Sequence, residues 1–367
     1  MTVPVEKEGA RVTDVKADEP LGTHVLELEI AEVIDETADA RSLVFTSPAD
    51  APVAPEKLRY DPGQFLTLRV PSDLTGSVAR CYSLCSSPFT GDPMTVTVKR
   101  TADGYASNWL CDHAQAGMKV HVLAPSGTFV PKSLDTDFVL LAAGSGITPM
   151  MAILKSALAE GSGKVTLIYA NRDENSVIFA AALRELAARY PDRLTVIHWL
   201  ESVQGLPVVA GLAELVAPFG TREAFICGPG PFMKAAEEAL TSSGMSPDRI
   251  HIEVFKSLES DPFAAVVLED DDSDEGPSTA VVTLDGQKHE VSWPRRAKLL
   301  DVLLDKGLDA PFSCREGHCG ACAVVKKSGD TEMEVNDVLE DSDLEEGLIL
   351  ACQAHPLSDS VEVTYDE

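Results

Sequence analysis

The first third of the chain alternates hydrophobic and polar residues over short runs. Turn sequences such as Asp61-Pro62-Gly63 and Pro125-Ser126-Gly127 separate these runs, and one helical stretch at 107–116 interrupts them. Many short strands punctuated by Gly and Pro are typical of a small antiparallel β-barrel. The pattern therefore predicts a barrel over residues 25–134, with strands at 24–31, 40–46, 64–70, 94–99 and 119–123.

From residue 137 the rhythm changes to hydrophobic runs that alternate with stretches of helical period. Such alternation is typical of a doubly wound α/β domain with a parallel sheet. Open sheets of this kind bind ligands at the carboxyl ends of their strands, and two glycine-rich loops, GSGITP at 144–149 and CGPGP at 227–231, lie there. We expect this domain at 135–258, with strands at 138–142, 164–169, 194–200, 223–226 and 250–254 and helices at 149–160, 176–190, 208–216 and 231–243.

The rest of the chain divides into an acidic stretch and a smaller folded unit. Residues 259–278 are rich in Asp and Glu and poor in hydrophobic residues, which predicts a flexible linker. Beyond it, runs at 279–284 and 287–292 flank an Asp-Gly turn and predict a hairpin, followed by a helix at 299–306 and a strand at 360–365. We expect a mixed α+β domain at 279–367, and a disordered tail at 1–24.

The strongest chemical signal lies in this last domain, in PFSCREGHCGACAV at 311–324. Cys314, Cys319 and Cys322 have C-x4-C-x2-C spacing, and Cys352 follows. This is the plant-type ligand pattern for a [2Fe–2S] cluster. A zinc site is the main alternative, although zinc usually takes two C-x2–4-C pairs. A Rieske centre would need a second histidine, and disulfides are disfavoured without a secretory signal.

A second candidate site lies inside the predicted barrel, at Arg80-Cys81-Tyr82-Ser83. An arginine can clamp a phosphate, a tyrosine can stack on a planar ring, and a serine can hydrogen-bond a ring nitrogen. Gly104 and Ser107 open the helical stretch, where free N–H groups favour a phosphate. These residue types fit a flavin site, but Tyr82 could equally be a strand aromatic and Arg80 a surface ion-pair partner.

Charge narrows the choice of partners. The 367 residues include 30 Lys and Arg against 59 Asp and Glu, a formal net charge of −29. Such a surface argues against nucleic acid and anionic membrane as partners. It is compatible with a partner that offers a basic patch, or with acidity that only maintains solubility. The N-terminus has no apolar signal-peptide core, and Cys81, Cys85, Cys111 and Cys227 are scattered, so we expect a reduced, cytoplasmic protein.

Taken together, the three parts resemble the ferredoxin reductase family with a plant-type ferredoxin fused at the C-terminus. The RCYS motif at 80–83 is similar to the family's flavin motif, GSGITP at 144–149 to its nicotinamide-nucleotide loop, and CGPG at 227–230 to its nicotinamide-side loop. The resemblance implies an FAD-binding barrel, an NAD-binding α/β domain and a β-grasp [2Fe–2S] domain, in that order. This order occurs in reductase components of bacterial oxygenases.

The resemblance also implies roles for individual residues. Arg80 would meet the flavin phosphates, Tyr82 and Ser83 the flavin ring, and Phe255 would lie near that ring. Thr148 and Cys227 would flank the nicotinamide, and Asn171-Arg172-Asp173 could serve NADH or NADPH. The implied cofactor-binding residues are Arg80, Tyr82, Ser83, Val98, Lys99, Gly104, Ser107, Gly144, Gly146, Thr148, Cys227, Gly228 and Phe255, and the iron ligands are Cys314, Cys319, Cys322 and Cys352.

The function implied is a relay that carries electrons from NADH through FAD and the [2Fe–2S] cluster to a Rieske-type terminal oxygenase, with no catalytic acid/base pair or nucleophile in this chain. Longer stretches such as RCYSLCSSP and HIEVFKSLESDPFAAV resemble reductases that serve a steroid-ring hydroxylase, and this resemblance implies such an enzyme as the oxygenase. The acceptor could also be an aromatic-ring dioxygenase, a phenylacetyl-CoA epoxidase or a fatty-acid desaturase. Outside enzymes, the alternative is a zinc-stabilised acidic adaptor. We expect a monomer.

Overall fold

The computed structural model describes residues 21–22, 24–266, 268 and 276–366. Most of the predicted tail at 1–24 and the acidic run at 269–275 in the predicted linker lie outside these residues. Within the part of the chain that is described, no helix is long and apolar enough to cross a lipid bilayer. Single 3₁₀ turns lie at Pro55–Leu58, Gly144–Gly146, Glu174–Ser176, Ala217–Phe219 and Pro247–Arg249.

A six-stranded antiparallel sheet forms the first domain and closes into a barrel. Its strands are β1 Leu26–Thr37, β2 Ala40–Thr46, β3 Phe65–Ser72, β4 Gly76–Ser83, β5 Thr95–Lys99 and β6 Lys119–Ser126. They lie in the order β4-β3-β6-β1-β2-β5, and a bridge between Leu84 and Val96 connects the two ends. Closure protects the backbone groups that edge strands would expose. Helix α1, Tyr105–His113, packs Leu110 into the barrel core.

A five-stranded parallel sheet forms the second domain. Its strands are β7 Phe138–Ala143, β8 Val165–Asn171, β9 Leu194–Leu200, β10 Glu223–Cys227 and β11 Ile250–Glu253. Its helices are α2 Ile147–Glu160, α3 Ala180–Arg189, α4 Glu201–Gln204, α5 Val209–Val216 and α6 Gly230–Ser242. Every residue of β7 and β8 is buried, because helices cover both faces of the sheet.

The strand order of this sheet creates a ligand-binding position. The order is β11-β10-β7-β8-β9, so the chain winds outward from β7 in one direction and later from β10 in the other. Ligands of open α/β sheets bind where the direction of winding reverses. The two glycine-rich loops follow β7 and β10 directly, so the fold brings them together at this point.

The third domain is a mixed sheet crossed by one helix. Its elements are β12 Ser278–Leu284, β13 Gln287–Trp293, α7 Leu299–Asp305, β14 Ala323–Ser328, β15 Thr331–Met333, α8 Asp341–Glu345, β16 Leu348–Leu350, β17 Ala354–Pro356 and β18 Ser360–Thr364. The main sheet has the order β13-β12-β18-β14-β16, with β12 parallel to β18. Leu299, Leu300 and Leu303 of α7 are fully buried beneath it. This is the predicted β-grasp arrangement.

The chain that enters this domain begins with an ordered segment, residues 258–264, here called the strap. Leu258 is 7% exposed and Phe263 0%, and both lie in the apolar core of the third domain. Leu21 also forms a β-bridge with Ala264. The strap differs from the flexible linker expected from residue 259. Phe263 anchors the strap in this core, but the acidic residues around it in the sequence mask its hydrophobic signal.

Candidate redox cofactor site

The cysteine loop connects α7 to β14 and carries three of the four predicted iron ligands. Cys314, Cys322 and Cys352 are buried, and Cys319 is partly buried. The chain turns sharply here through positive φ angles at Arg315, Gly317 and Gly320, which are accessible mainly to glycine. A Cβ at Gly317 would lie 2.8 Å from a backbone oxygen, so the loop has no space for a side chain there.

The four thiols form two pairs, and this pairing tests which metal they fit. Cys314 is hydrogen-bonded to Cys319, and Cys322 to Cys352. Two pairs suit two irons, each held by two thiolates, better than one tetrahedral zinc. The donor set therefore fits a [2Fe–2S] cluster.

Hydrogen bonds favour the charged form of one thiol in each pair, Cys314 and Cys352, by lowering its pKa. The shared hydrogen bond from Cys319 is the main reason that the pKa of Cys314 falls to about 6, while the pKa of Cys319 rises well above its ordinary value. The backbone N–H of Glu316 donates to Cys314 Sγ at 3.3 Å, and Gln353 Nε2 donates to Cys352 Sγ at 3.4 Å. Such surrounding donors orient metal ligands and stabilise thiolates.

A cleft of about 360 Å³ separates this loop from the barrel and the end of β11. Ser83 of β4 lines it, together with Phe255, Cys314 and Cys319. The remaining walls include Phe65, Cys81, Thr128, Phe129, Glu253 and Val338. The fold thus brings the serine of the RCYS motif, the predicted flavin-side phenylalanine and one pair of the predicted iron ligands around a single space.

Arg80 and Tyr82 lie on the opposite face of β4 and do not line this cleft, because side chains alternate along a strand. Arg80 Nη1 donates to the carbonyl oxygen of Leu258 in the strap at 3.0 Å. Tyr82 packs against the barrel core, and burial raises its pKa. A flavin that met all three motif residues would therefore cross the edge of β4.

The other predicted flavin residues lie on β5 and at the start of α1. Val98 is fully buried in the barrel core. Gly104 precedes α1, and the hydroxyl of Ser107 accepts a hydrogen bond from the backbone N–H of Thr101 at 3.2 Å. A Cβ at Gly104 would lie 2.9 Å from that hydroxyl, so the turn is tight. The first N–H groups of α1 remain available to an anion.

The two loops at the parallel sheet are in direct contact. A Cβ at Gly146 would lie 2.1 Å from the carbonyl oxygen of Cys227, and one at Gly228 would lie 2.9 Å from the Cβ of Ala143. Thr148 is buried at the start of α2 and donates to Ser145 O at 3.0 Å. Only glycines permit this approach, which leaves backbone N–H groups facing the nucleotide position.

Three charged residues connect the barrel to the mouth of this nucleotide position. Asp39 pairs with Arg172 at 2.7 Å and lies 4.0 Å from Lys99 Nζ. Lys99 Nζ is 3.6 Å from the position of a Cβ at Gly144, whose φ is +54°. Asp173, in contrast, caps the following 3₁₀ turn. Within the Asn171-Arg172-Asp173 segment, Arg172 faces the barrel, and the carboxylate of Asp39 already neutralises its charge.

Sequence reasoning missed Glu253 at the end of β11. Desolvation raises the pKa of this carboxyl to about 7, and it lines the cleft beside Ser83 and Phe255. Cys227 is also buried, and burial together with the nearby charge of Glu253 raises its pKa. A carboxylate at the carboxyl end of a strand next to the reversal point was the signal that could have identified Glu253.

Comparison with known protein families agrees with the division into three domains. Residues 27–130 match the oxidoreductase FAD-binding domain, residues 140–238 the oxidoreductase NAD-binding domain, and residues 282–357 the 2Fe-2S iron-sulfur cluster binding domain. The predicted barrel, α/β domain and β-grasp domain are confirmed in this order. The cofactor classes FAD, NAD and [2Fe–2S] are confirmed with them.

Individual proteins are similar to this chain over most of its length. The chain is 80% identical over 351 residues to the 3-ketosteroid-9-alpha-monooxygenase ferredoxin reductase component of Mycolicibacterium smegmatis, covering 95% of this chain and 99% of that protein. It is 72% identical to the protein of that name in Mycobacterium tuberculosis, covering 97% and 100%. The solved structure of phthalate dioxygenase reductase shares the fold, with a TM-score of 0.53, 24% identity and coverage of 93% and 98%.

Proposed function

The chain belongs to the ferredoxin reductase components of 3-ketosteroid-9-alpha-monooxygenase, and on this basis we propose that it supplies a steroid-ring monooxygenase with electrons from NADH. When bound, FAD accepts a hydride from NADH and the [2Fe–2S] cluster carries electrons singly, so the two cofactors together convert a two-electron donor into a one-electron source. The residues of this chain bind these groups, orient them and exclude water.

The observation that carries the proposal is the shared cleft. Ser83 and Phe255 lie on the flavin side, and the iron ligands Cys314 and Cys319 lie across the same space. Ser83 and Phe255 would hold a planar ring in this space, and Cys314 and Cys319 would hold a cluster at its other wall. We infer that electrons leave the flavin site towards the Cys314–Cys319 pair.

The remaining residues receive roles that follow from their positions. Ser83 would hydrogen-bond the flavin ring and Tyr82 would support it, while Arg80 and the start of α1, with Gly104 and Ser107, would hold the phosphates. Val98 and Lys99 of β5 would complete that site. The nicotinamide nucleotide would bind across Gly144, Gly146, Thr148, Cys227 and Gly228. Because Asp39 neutralises Arg172, NADH suits this mouth better than NADPH with its added phosphate.

The acceptor we propose is a Rieske-type terminal oxygenase. The net charge of −29 favours a partner surface with a basic patch, which would steer the two proteins together. The substrate steroid would bind to the oxygenase and need not contact this chain. We further propose a monomer that works in the cytoplasm.

The test is an anaerobic titration of the purified protein with NADH, followed by visible absorption and low-temperature EPR. We expect the flavin and cluster absorption bands both to bleach, with the EPR signal of one reduced [2Fe–2S] centre. Bleaching of the flavin without a cluster signal would contradict the proposal. A colourless protein that held about one zinc would point instead to the acidic adaptor. Turnover with purified oxygenases then identifies the acceptor.

A further inference from the structure

The strap binds the cysteine loop through a single carboxylate. Glu316 lies between Cys314 and Cys319, and its Oε1 accepts hydrogen bonds from three strap donors. These are the backbone N–H of Glu259 at 2.8 Å, the backbone N–H of Ser260 at 2.6 Å and the hydroxyl of Ser260 at 2.7 Å. Hydrogen bonds to an ionised acceptor are shorter and stronger than neutral ones. Three of them at one oxygen fix the loop relative to the strap.

The same strap is held on its other side by the barrel. Asp261 Oδ2 accepts a hydrogen bond from the hydroxyl of Ser77 at 3.0 Å and lies 3.7 Å from Arg69 Nη2. The side chains of Arg69 and Asp261 are 17% and 26% exposed, so this ion pair is shielded from solvent more than a surface pair. Arg80 adds its hydrogen bond to Leu258 O.

The strap is anchored in the third domain, because Phe263 is fully buried in that domain's core. Elsewhere the cysteine loop meets the barrel through small side chains and through an exposed ion pair between Lys57 and Asp309 at 3.1 Å. The hydroxyls of Thr67 and Ser313 are 2.7 Å apart in a buried contact, and Gly320 packs on Thr128. The strap therefore adds shielded, directional contacts to this interface, and it does so on both sides.

We propose that Glu316 and Asp261 are positioning residues that hold the cysteine loop against the flavin-side cleft and thereby set the rate of electron transfer between the two cofactors. This inference rests on the proposed function. In each transfer one electron leaves the reduced flavin and enters the oxidised cluster, and neither carboxylate exchanges a proton. Glu316 and Asp261 act through the distance and orientation of the docked domains.

The variants Glu316→Ala and Asp261→Ala test the proposal in the full-length holoprotein. Stopped-flow mixing with NADH should show flavin reduction at the parent rate. Electron transfer from flavin to cluster should become slower by about tenfold or more, the change that follows a loss of about 1.4 kcal/mol in docking. Glu316→Gln keeps one accepting oxygen and should recover part of the rate. Glu332→Ala, at an exposed carboxylate on β15, is the matched control.

A second readout does not depend on the cofactors. Hydrogen–deuterium exchange should show that the amides of Glu259 and Ser260 exchange faster in Glu316→Ala than in the parent, with or without bound cofactors, because their acceptor is gone. In Asp261→Ala the same amides keep their acceptor, Glu316, and should exchange as in the parent.

Transfer at the parent rate in both variants, together with parent-like amide exchange in Glu316→Ala, would overturn the proposal. If Glu316→Ala fails to assemble its cluster, the transfer rate of Asp261→Ala tests the proposal instead, because Asp261 lies outside the cysteine loop. If the parent protein itself shows no cluster reduction by NADH, the proposed function is wrong. In that case, parent-like protection of the Glu259 and Ser260 amides in Glu316→Ala would separately show that the strap does not depend on Glu316.

Discussion

At Gly146 a single hydrogen atom in place of a side chain allows two loops to meet. A Cβ there would lie 2.1 Å from the carbonyl oxygen of Cys227. We expect Gly146→Ala to push the loops apart, to reduce the free energy of unfolding by about 1–3 kcal/mol, the cost of overpacking a core, and to weaken NADH binding. Chemical denaturation and NADH titration measure both effects.

Gly220→Ala provides the control for this substitution. Its φ of −59° suits any residue, and the nearest atom to its Cβ would lie 3.8 Å away. Stability and NADH affinity should stay at parent values. Equal behaviour of the two variants would mean that the contact between Gly146 and Cys227 does not matter.

Individual residues differ in how far the sequence predicts them. The four cysteines were predicted as cluster ligands from spacing alone, because a metal site constrains the intervals between its ligands. Glu316 and Asp261 carried no such signal. Their roles depend on the partners Ser260 and Ser77, which lie 56 and 184 residues away along the chain. The pKa of Glu253 is likewise raised because the folded chain buries its carboxyl group in the wall of the cleft.

Among the secondary-structure elements, the strands of the parallel sheet were predicted well and the shortest strands were not. Strands β7 to β11 lie within two residues of their predicted bounds, and buried hydrophobic runs mark β7 and β8 most clearly. Strand β4 was not predicted, because its sequence GSVARCYS contains small and charged residues and gains its stability by pairing with β3. Strands β15 to β17, three residues each, are too short to show a period.

The strap gives the clearest pH prediction, through His24. Its Nε2 lies 3.3 Å from Pro262 O and its ring is edge-on to Phe312 at 4.3 Å. Burial is the main cause that lowers the pKa of His24 below its ordinary 6.5. The folded state therefore resists protonation. This contribution to stability is present above pH 6.5 and is lost as pH falls through that value towards the folded pKa.

We expect the free energy of unfolding to fall between about pH 7 and pH 5, and the fall to be smaller in His24→Gln. His113→Gln, at an exposed histidine on α1, should keep the parent slope. Urea denaturation at several pH values measures these slopes. A parent-like slope in His24→Gln would show that protonation of this ring does not affect stability.

For the molecule as a whole, the order and class of the three domains could be predicted, but their docking could not. Composition and periodicity report on each domain separately. The contacts between Thr67 and Ser313 and between Lys256 and Asp337 connect surfaces that no local pattern links. The apolar anchor Phe263 was hidden by averaging over an acidic stretch. Domain packing is therefore the level at which the structure adds most.

The net charge of −29 leads to a prediction about salt. Attraction between this surface and a basic patch on the oxygenase weakens as ions screen it, over a Debye length of about 10 Å at 0.1 M. We expect the KM for the oxygenase to rise with sodium chloride while NADH-dependent reduction of ferricyanide changes little. A KM that does not depend on salt would contradict the electrostatic docking.

The contact between Gly320 and Thr128 has a consequence for timing. A Cβ at Gly320 would lie 2.6 Å from Thr128 Cγ2, so this face of the cysteine loop is in direct contact with the barrel. A second protein cannot occupy the same face at the same moment. For an oxygenase that uses this face, we expect each delivered electron to need one docked and one undocked interval, whose length solvent friction on a whole domain would set. Higher solvent viscosity would then slow the delivery of electrons to the oxygenase but not the transfer of hydride from NADH.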